Sequence, residues 1–230
     1  MSNKRLVLFD IDETMISSDG AGRRALTRAL SQSHNLSEEA TAVNMSGKTD
    51  PQIVVEILVS QGVSRSEALS AVSQVLALYL SFLDEEIERS KYYIIHPGVR
   101  EALDELSKSQ AKLALLTGNV EVGARKKLAR FSLNDYFPFG AYGCDSANRL
   151  DLPAFAVRRA KENLGLDFAP EEIVVIGDSV NDIACAHGYG ARALAVNTGR
   201  TSWQDLEREK PAYLFKDLSD TAEVLKAIFD

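Results

Sequence analysis

The stretch Leu6-Val7-Leu8-Phe9-Asp10-Ile11-Asp12-Glu13-Thr14-Met15 decides how the rest of the chain is read. Four large apolar residues stop at two aspartates one residue apart, the pattern of a buried strand whose carboxyl end opens into a polar site. In open α/β sheets the ligand crevice lies beyond the carboxyl ends of the strands, so Asp10 and Asp12 stand where chemistry is done. Taken alone, an Asp-x-Asp pair is equally well used by a turn and a helix cap. The remainder of the chain tips the balance.

From His96-Pro97-Gly98 onwards helix and strand alternate. Helical spacing marks Val99 to Leu106, Val122 to Leu128, Leu152 to Leu164, Asn181 to His187, Trp203 to Glu209 and Thr221 to Ile228. Between them lie the apolar runs Leu113 to Leu116, Phe139 to Gly143, Ile173 to Ile176, Ala193 to Val196 and Tyr213 to Phe215. Strands separated by helices of this length predict right-handed crossovers and a Rossmann-like α/β fold, a parallel sheet with helices on both faces. Residues 16–92 read differently. Ala25, Leu26, Ala29 and Leu30 recur at helical spacing, Thr49 or Asp50 with Pro51 starts a second helix, and Ser64 with Glu67 forms the capping box of a third that runs to about Ser90. No strand is expected between Met15 and Ser90. The division is therefore a catalytic core of residues 1–15 and 93–230, with an inserted all-helical cap of residues 16–92 whose junctions fall beside the aspartates, a position suited to a lid.

The 230 residues carry 26 Lys and Arg against 33 Asp and Glu, a net charge of −7, which argues against nucleic acid or an anionic membrane surface as partner. Cys144 and Cys185 fit neither a disulfide framework nor a Cys-x-x-Cys site and read as small buried thiols in a reducing compartment. No apolar run is expected to span a bilayer and no leader pattern is evident, so a cytoplasmic protein is expected; a monomer or homodimer is expected as well. His34, His96 and His187 lack partners at ligand spacing.

Three strand ends carry polar signals: Asp10-x-Asp12-x-Thr14, Thr117-Gly118-Asn119, and Gly177-Asp178-Ser179-x-x-Asp182. A parallel sheet gathers them on one edge, where clustered carboxylates take up protons unless a cation keeps them ionised. Oxygen ligands without His or Cys point to a magnesium-like ion.

With these motifs the chain resembles the haloacid dehalogenase superfamily, in the branch of phosphatases similar to phosphoglycolate phosphatase, along essentially its whole length. The resemblance implies that Asp10 attacks phosphorus to form an aspartyl phosphate, that Asp12 exchanges the proton with the leaving and attacking oxygens, and that Asp10, the Asp12 carbonyl and Asp178 hold Mg²⁺, with Asp182 alongside. Thr117, the Gly118 amide and Asn119 would hold the phosphoryl group. The family's usual lysine is absent from Asn148-Arg149-Leu150-Asp151-Leu152-Pro153, and its role falls to Arg149. Glu13 stands where the family commonly has glycine, and is expected only to alter the turn. Lys48, and less strongly Arg23 and Arg24, are candidate contacts for an anionic substrate; Arg158, Arg159 and Lys161 read as a solvated helix face. The implied function is hydrolysis of a small phosphorylated metabolite. A phosphomutase shares the first half of that reaction, and a receiver-like phospho-aspartate module is the reading from another class; a dehalogenase needs no acid at Asp12.

Overall fold

The computed structural model describes residues 4–230. In chain order the elements are β1 (Leu6–Phe9), β2 (Ile16–Ser18), α1 (Ala21–His34), α2 (Asp50–Ser60), α3 (Arg65–Arg89), β3 (Tyr93–Ile95), α4 (Val99–Ser107), β4 (Lys112–Leu116) and α5 (Glu121–Ala129). They continue with β5 (Gly140–Ala141), α6 (Leu152–Leu164), β6 (Ile173–Gly177), α7 (Val180–Tyr189), β7 (Arg192–Val196), α8 (Trp203–Arg208), β8 (Tyr213–Phe215) and α9 (Thr221–Phe229).

Six strands form one sheet in the order β5-β4-β1-β6-β7-β8, every pairing parallel. The chain winds outward from β1 to one side and then, after β5, to the other, so the point where the order reverses lies at the ends of β1, β4 and β6. Because side chains alternate along a strand, Val7 and Phe9 face one layer with α4, α5 and α9, while Leu6 and Leu8 face the other with α6, α7 and α8. Burial on both faces is why β1 reads as an uninterrupted apolar run.

Between β2 and β3 the regular structure is helical, but the strands themselves were not expected. Ile16–Ser18 pairs antiparallel with Tyr93–Ile95, Ile16 opposite Ile95 and Ser18 opposite Tyr93, so the chain leaves and re-enters through a two-stranded ribbon. Three residues containing two serines are too short to show alternation, which is why no strand was expected here. Thr49 caps α2 by accepting from the Gln52 amide, and Ser64 and Glu67 close the predicted capping box of α3. By length and composition α3 could cross a membrane, contrary to expectation. In the fold, however, its Val75, Tyr79 and Leu83 are buried and its Glu86 pairs with Arg24 and Arg28 of α1. Cys185 is buried, but Cys144 is exposed, so the paired reading of the thiols holds for one only.

Candidate active site

The ends of β1, β4 and β6 open into a cavity of about 190 Å³ roofed by the insert, and the three sequence motifs meet on its floor. Asp10 extends β1 by one residue, its amide donating to the Ile176 carbonyl at 3.0 Å. Asp10, Asp178 and Asp182 are all buried, each offering an oxygen within 4.8 Å of the others. Arg149 enters this group from the short turn before α6, with Nη2 3.1 Å from Asp10 Oδ1 and in contact with Asp182. The turn is held by Asn148 Oδ1, which accepts from the Leu150 amide, and by the Cys185 thiol donating to the Arg149 carbonyl at 3.2 Å. Asp182 also receives the Ser179 hydroxyl at 2.6 Å and the Ser179 amide at 3.1 Å, closing the capping box of α7. Its spacing from Ser179 thus serves the helix start as well as the site.

Asp178 is the group left without compensation. It is 4% exposed, and its only hydrogen-bond donor among the described residues is the Thr14 hydroxyl at 3.1 Å. Burial, with Asp182, Asp10 and Glu13 as charged neighbours, pushes its carboxyl well above the usual range. Burial likewise raises Asp10 to about 6, Arg149 lowering it and Asp182 raising it further. A buried carboxylate with acids for neighbours, beside two more carboxylates and a single guanidinium, fits a hard divalent cation. Gly199 keeps that place open, since a Cβ there would come within 1.8 Å of Asp178 Oδ2.

Asp12, two residues on, is in the opposite situation. Its carboxylate is not one of the three that cluster. Lys127 Nζ donates to both its oxygens at 2.8 and 2.7 Å, and Asn119 Nδ2 donates to Oδ2 at 2.7 Å. Burial would raise this carboxyl, but Lys127, Asn119 and Ser18 together hold it below the usual range. The surface that Asp12 retains faces the cavity. Asn119 is saturated within the protein, donating to Asp12 and to Thr117 Oγ1 and accepting from Lys127, so it orients Asp12 and Thr117.

Thr117 and Gly118 line the same floor. The Gly118 carbonyl accepts the Asp50 amide at 2.7 Å, and a Cβ at Gly118 would lie 2.0 Å from the Lys48 carbonyl, so only glycine lets the first turn of α2 sit this close. Asp50 returns the contact by accepting the Val120 amide at 2.9 Å, its carboxyl raised by burial to about 6. Lys48 lines the cavity but is paired with Glu56. Arg24 lies on the α1–α3 seam with Glu86 and Ser90, whereas Arg23 faces the cavity. Of the helix face expected to be solvated, Arg159 is instead clamped on both oxygens of Asp145.

Lys127 was not found by sequence reasoning. The helix was recognised through Val122 and Leu128, but Val122 is 52% exposed, and the buried stripe of α5 is Gly123, Ala124, Lys127 and Leu128. The phase of Ala124 and Leu128, four apart, puts Lys127 inward. Glu13 adopts φ 61°, in the left-handed region, which explains the family's glycine there.

Residues 4–190 match the family model described as haloacid dehalogenase-like hydrolase, and the chain belongs to that family of hydrolases. Along nearly its full length, 97% of this chain and 96% of the relative, it is 26% identical over 231 residues to a phosphoglycolate phosphatase of Psychrobacter arcticus. A phosphoglycolate phosphatase of Chromobacterium violaceum is 31% identical over 105 residues, a match that spans only 46% of that relative's length. A hydrolase of known structure from Pseudomonas syringae superimposes with a TM-score of 0.70 at 22% identity, covering 97% of this chain and 99% of the other.

Proposed function

We propose that the chain is a Mg²⁺-dependent phosphoric monoester hydrolase of the phosphoglycolate phosphatase-like branch, acting in the cytoplasm on a small phosphorylated metabolite through an aspartyl phosphate on Asp10. The observation that carries this reading is Asp178: a buried carboxylate without a cationic neighbour, next to a second one at the end of β1. When bound there, a divalent cation neutralises the repulsion between Asp10 and a phosphate dianion.

The remaining work belongs to the protein. Asp10 attacks phosphorus, and the bond to the leaving oxygen breaks as Asp12, which takes up a proton when the charge of the bound phosphate raises its carboxyl, gives that proton to the oxygen. Lys127 and Asn119 hold Asp12 in place. Once the alcohol has left, Asp12 is a carboxylate and takes a proton from the water that attacks the phosphorylated Asp10, releasing phosphate and restoring both groups. Arg149, the Thr117 hydroxyl and the Gly118 amide supply donors that tighten on the phosphoryl oxygens as negative charge grows there. Residues 16–92 act as a cap over this floor, excluding water from the step.

A phosphate-release screen over phosphorylated metabolites, with and without chelator, tests the reading. Wild type is expected to release phosphate only with Mg²⁺, and Asp10→Asn to lose at least about 10³-fold in kcat. Retained turnover in Asp10→Asn overturns the covalent step. Transfer to the substrate in place of release, dependent on a bisphosphate activator, identifies a mutase instead.

A further inference from the structure

The ribbon that joins insert to core ends in the cross-strand pair Ser18 and Tyr93. Side chains directly opposite each other in an antiparallel pair share one face, and here both are buried, while Tyr92 and Ile94 on either side of Tyr93 are exposed. The inward face of the ribbon meets the Asp12–Lys127 pair. From β2, the Ser18 hydroxyl donates to Asp12 Oδ1 across 3.5 Å; from β3, the Tyr93 hydroxyl donates to the Lys127 carbonyl at 2.9 Å. One strand reaches the carboxylate and the other the backbone of its lysine.

That backbone contact falls at a weak point of α5. Lys127 lies in the last turn, where carbonyls lack intrahelical donors, and the Phe131 amide that a continued ladder would aim at it bonds the Leu128 carbonyl at 3.2 Å instead. Tyr93 supplies the donor that the helix end is missing. Its ring is fixed in turn, with the Arg130 guanidinium 5.0 Å from the centroid and the Phe131 ring 5.8 Å away. At the other end of the lysine, Nζ donates to both Asp12 oxygens and to Asn119 Oδ1, so all three of its protons are committed. Where the Lys127 backbone is held therefore decides where Asp12 is held.

We propose that Tyr93 is a positioning residue for protonation of the leaving oxygen: its hydroxyl fixes the Lys127 backbone, and through Lys127 it fixes the direction in which the Asp12 carboxyl faces the cavity. The inference rests on the role proposed for Asp12. Tyr93 is not among the residues that line the cavity, so it acts on the reaction only through this chain of contacts. A proton passes over a short, directional contact, and a small tilt of the carboxyl is costly. Ser18 steadies the same carboxylate from the facing strand, more weakly because 3.5 Å is the limit of a hydrogen bond.

The test compares kcat/KM for glycerol phosphate and acetyl phosphate, because kcat/KM reports phosphoryl transfer to Asp10 and not the later hydrolysis. Glycerol phosphate releases an alkoxide oxygen that needs a proton; acetyl phosphate releases a carboxylate that needs none. Tyr93→Phe keeps the ring beside Arg130 and Phe131 and removes only the hydroxyl. It is expected to lower the ratio of glycerol phosphate to acetyl phosphate kcat/KM about 5- to 30-fold, a ratio that the fraction of folded protein leaves untouched. Lys127→Met is expected to lower the same ratio further, and adding Tyr93→Phe to it to change nothing more, because the hydroxyl acts through the lysine. An unmoved ratio in Tyr93→Phe, or losses that multiply in the double variant, overturns the role of Tyr93 and leaves the phosphatase reading intact. Release by wild type from acetyl phosphate alone removes the proton transfer, and Tyr93 with it. Release from neither overturns the phosphatase reading as well.

Discussion

The two aspartates of Asp10-Ile11-Asp12 sit on opposite sides of one cavity, and the sides balance their charge differently. On the β6 side, Asp10 and Asp182 share one guanidinium, Arg149, and the neighbouring Asp178 has none. On the α5 side, Asp12 has Lys127 to itself, with Asn119 donating as well. The first side is short of positive charge, as the proposed cation site requires; the second is complete without help. This difference supports the proposed roles. The proposed nucleophile stands among carboxylates that could hold a divalent cation against a phosphate dianion, whereas the proposed proton carrier is held by donors that the protein owns.

The comparison breaks most visibly at Arg149. Arg149→Met removes the lone cation from the buried pair Asp10 and Asp182 and is expected to cost about 3–5 kcal/mol of stability without metal, together with at least a hundredfold in kcat. Saturating Mg²⁺ should recover a large part of the stability, read as a Tm shift, and little of the rate. Equal losses with and without Mg²⁺ would contradict a shared charge balance.

Next in size is the response to pH and metal. In the metal-free protein Asp10 and Asp178 titrate above the unfolded value near 3.8, so between that value and about 6 the native state binds more protons than the unfolded one. Stability therefore falls as pH rises through this window. Asp12 has the opposite sign: it contributes stability above its unfolded value that is lost as pH falls. Calorimetry should show the Tm gain from Mg²⁺ larger at pH 7 than at pH 5. Asp178→Asn should raise the Tm of the metal-free protein at pH 7 while weakening Mg²⁺ binding at least tenfold; a lower metal-free Tm would mean that Asp178 is compensated after all.

A smaller effect is expected on the other side. Lys127→Met strands Asp12 next to the cavity, where its remaining exposure limits the cost to about 1–2 kcal/mol, less than for a fully buried pair. The limb of the kcat profile that follows Asp12 should move upward in pH, because the carboxyl loses the partner that held it down. An unmoved limb would free Lys127 from any part in orienting the proton carrier. The smallest change is Glu13→Gly, which relieves a left-handed backbone at φ 61° and should shift stability upward by less than about 1 kcal/mol, visible as a small rise in Tm.

Helix and strand periods, the Ser64–Glu67 box, the apolar run of β1 and the polar residues that end β1, β4 and β6 are all short-range patterns, and the chain declares them without help from the fold. They suffice for a parallel sheet with a helical insert and for the polar strand ends at Asp10, Thr117, Gly118, Asn119 and Asp178; Arg149, which lines the same cavity, came only from the family resemblance. The ribbon of Ile16–Ser18 and Tyr93–Ile95 was not legible, because its partner strands lie some 75 residues apart in sequence and each is too short to carry a period. Nor was Lys127, whose inward phase depends on which side of α5 meets the sheet.

Charge partnership is a property of side chains brought together across the whole chain. That Lys48 is engaged by Glu56 and Arg24 by Glu86, while Arg23 is left facing the cavity, follows from how α1, α2 and α3 pack, and consecutive arginines look alike until that packing exists. The sequence by itself determined which chemistry-bearing residues end the strands. The tertiary structure decided which of their charges are neutralised, because pairing depends on distances through space that no local pattern records.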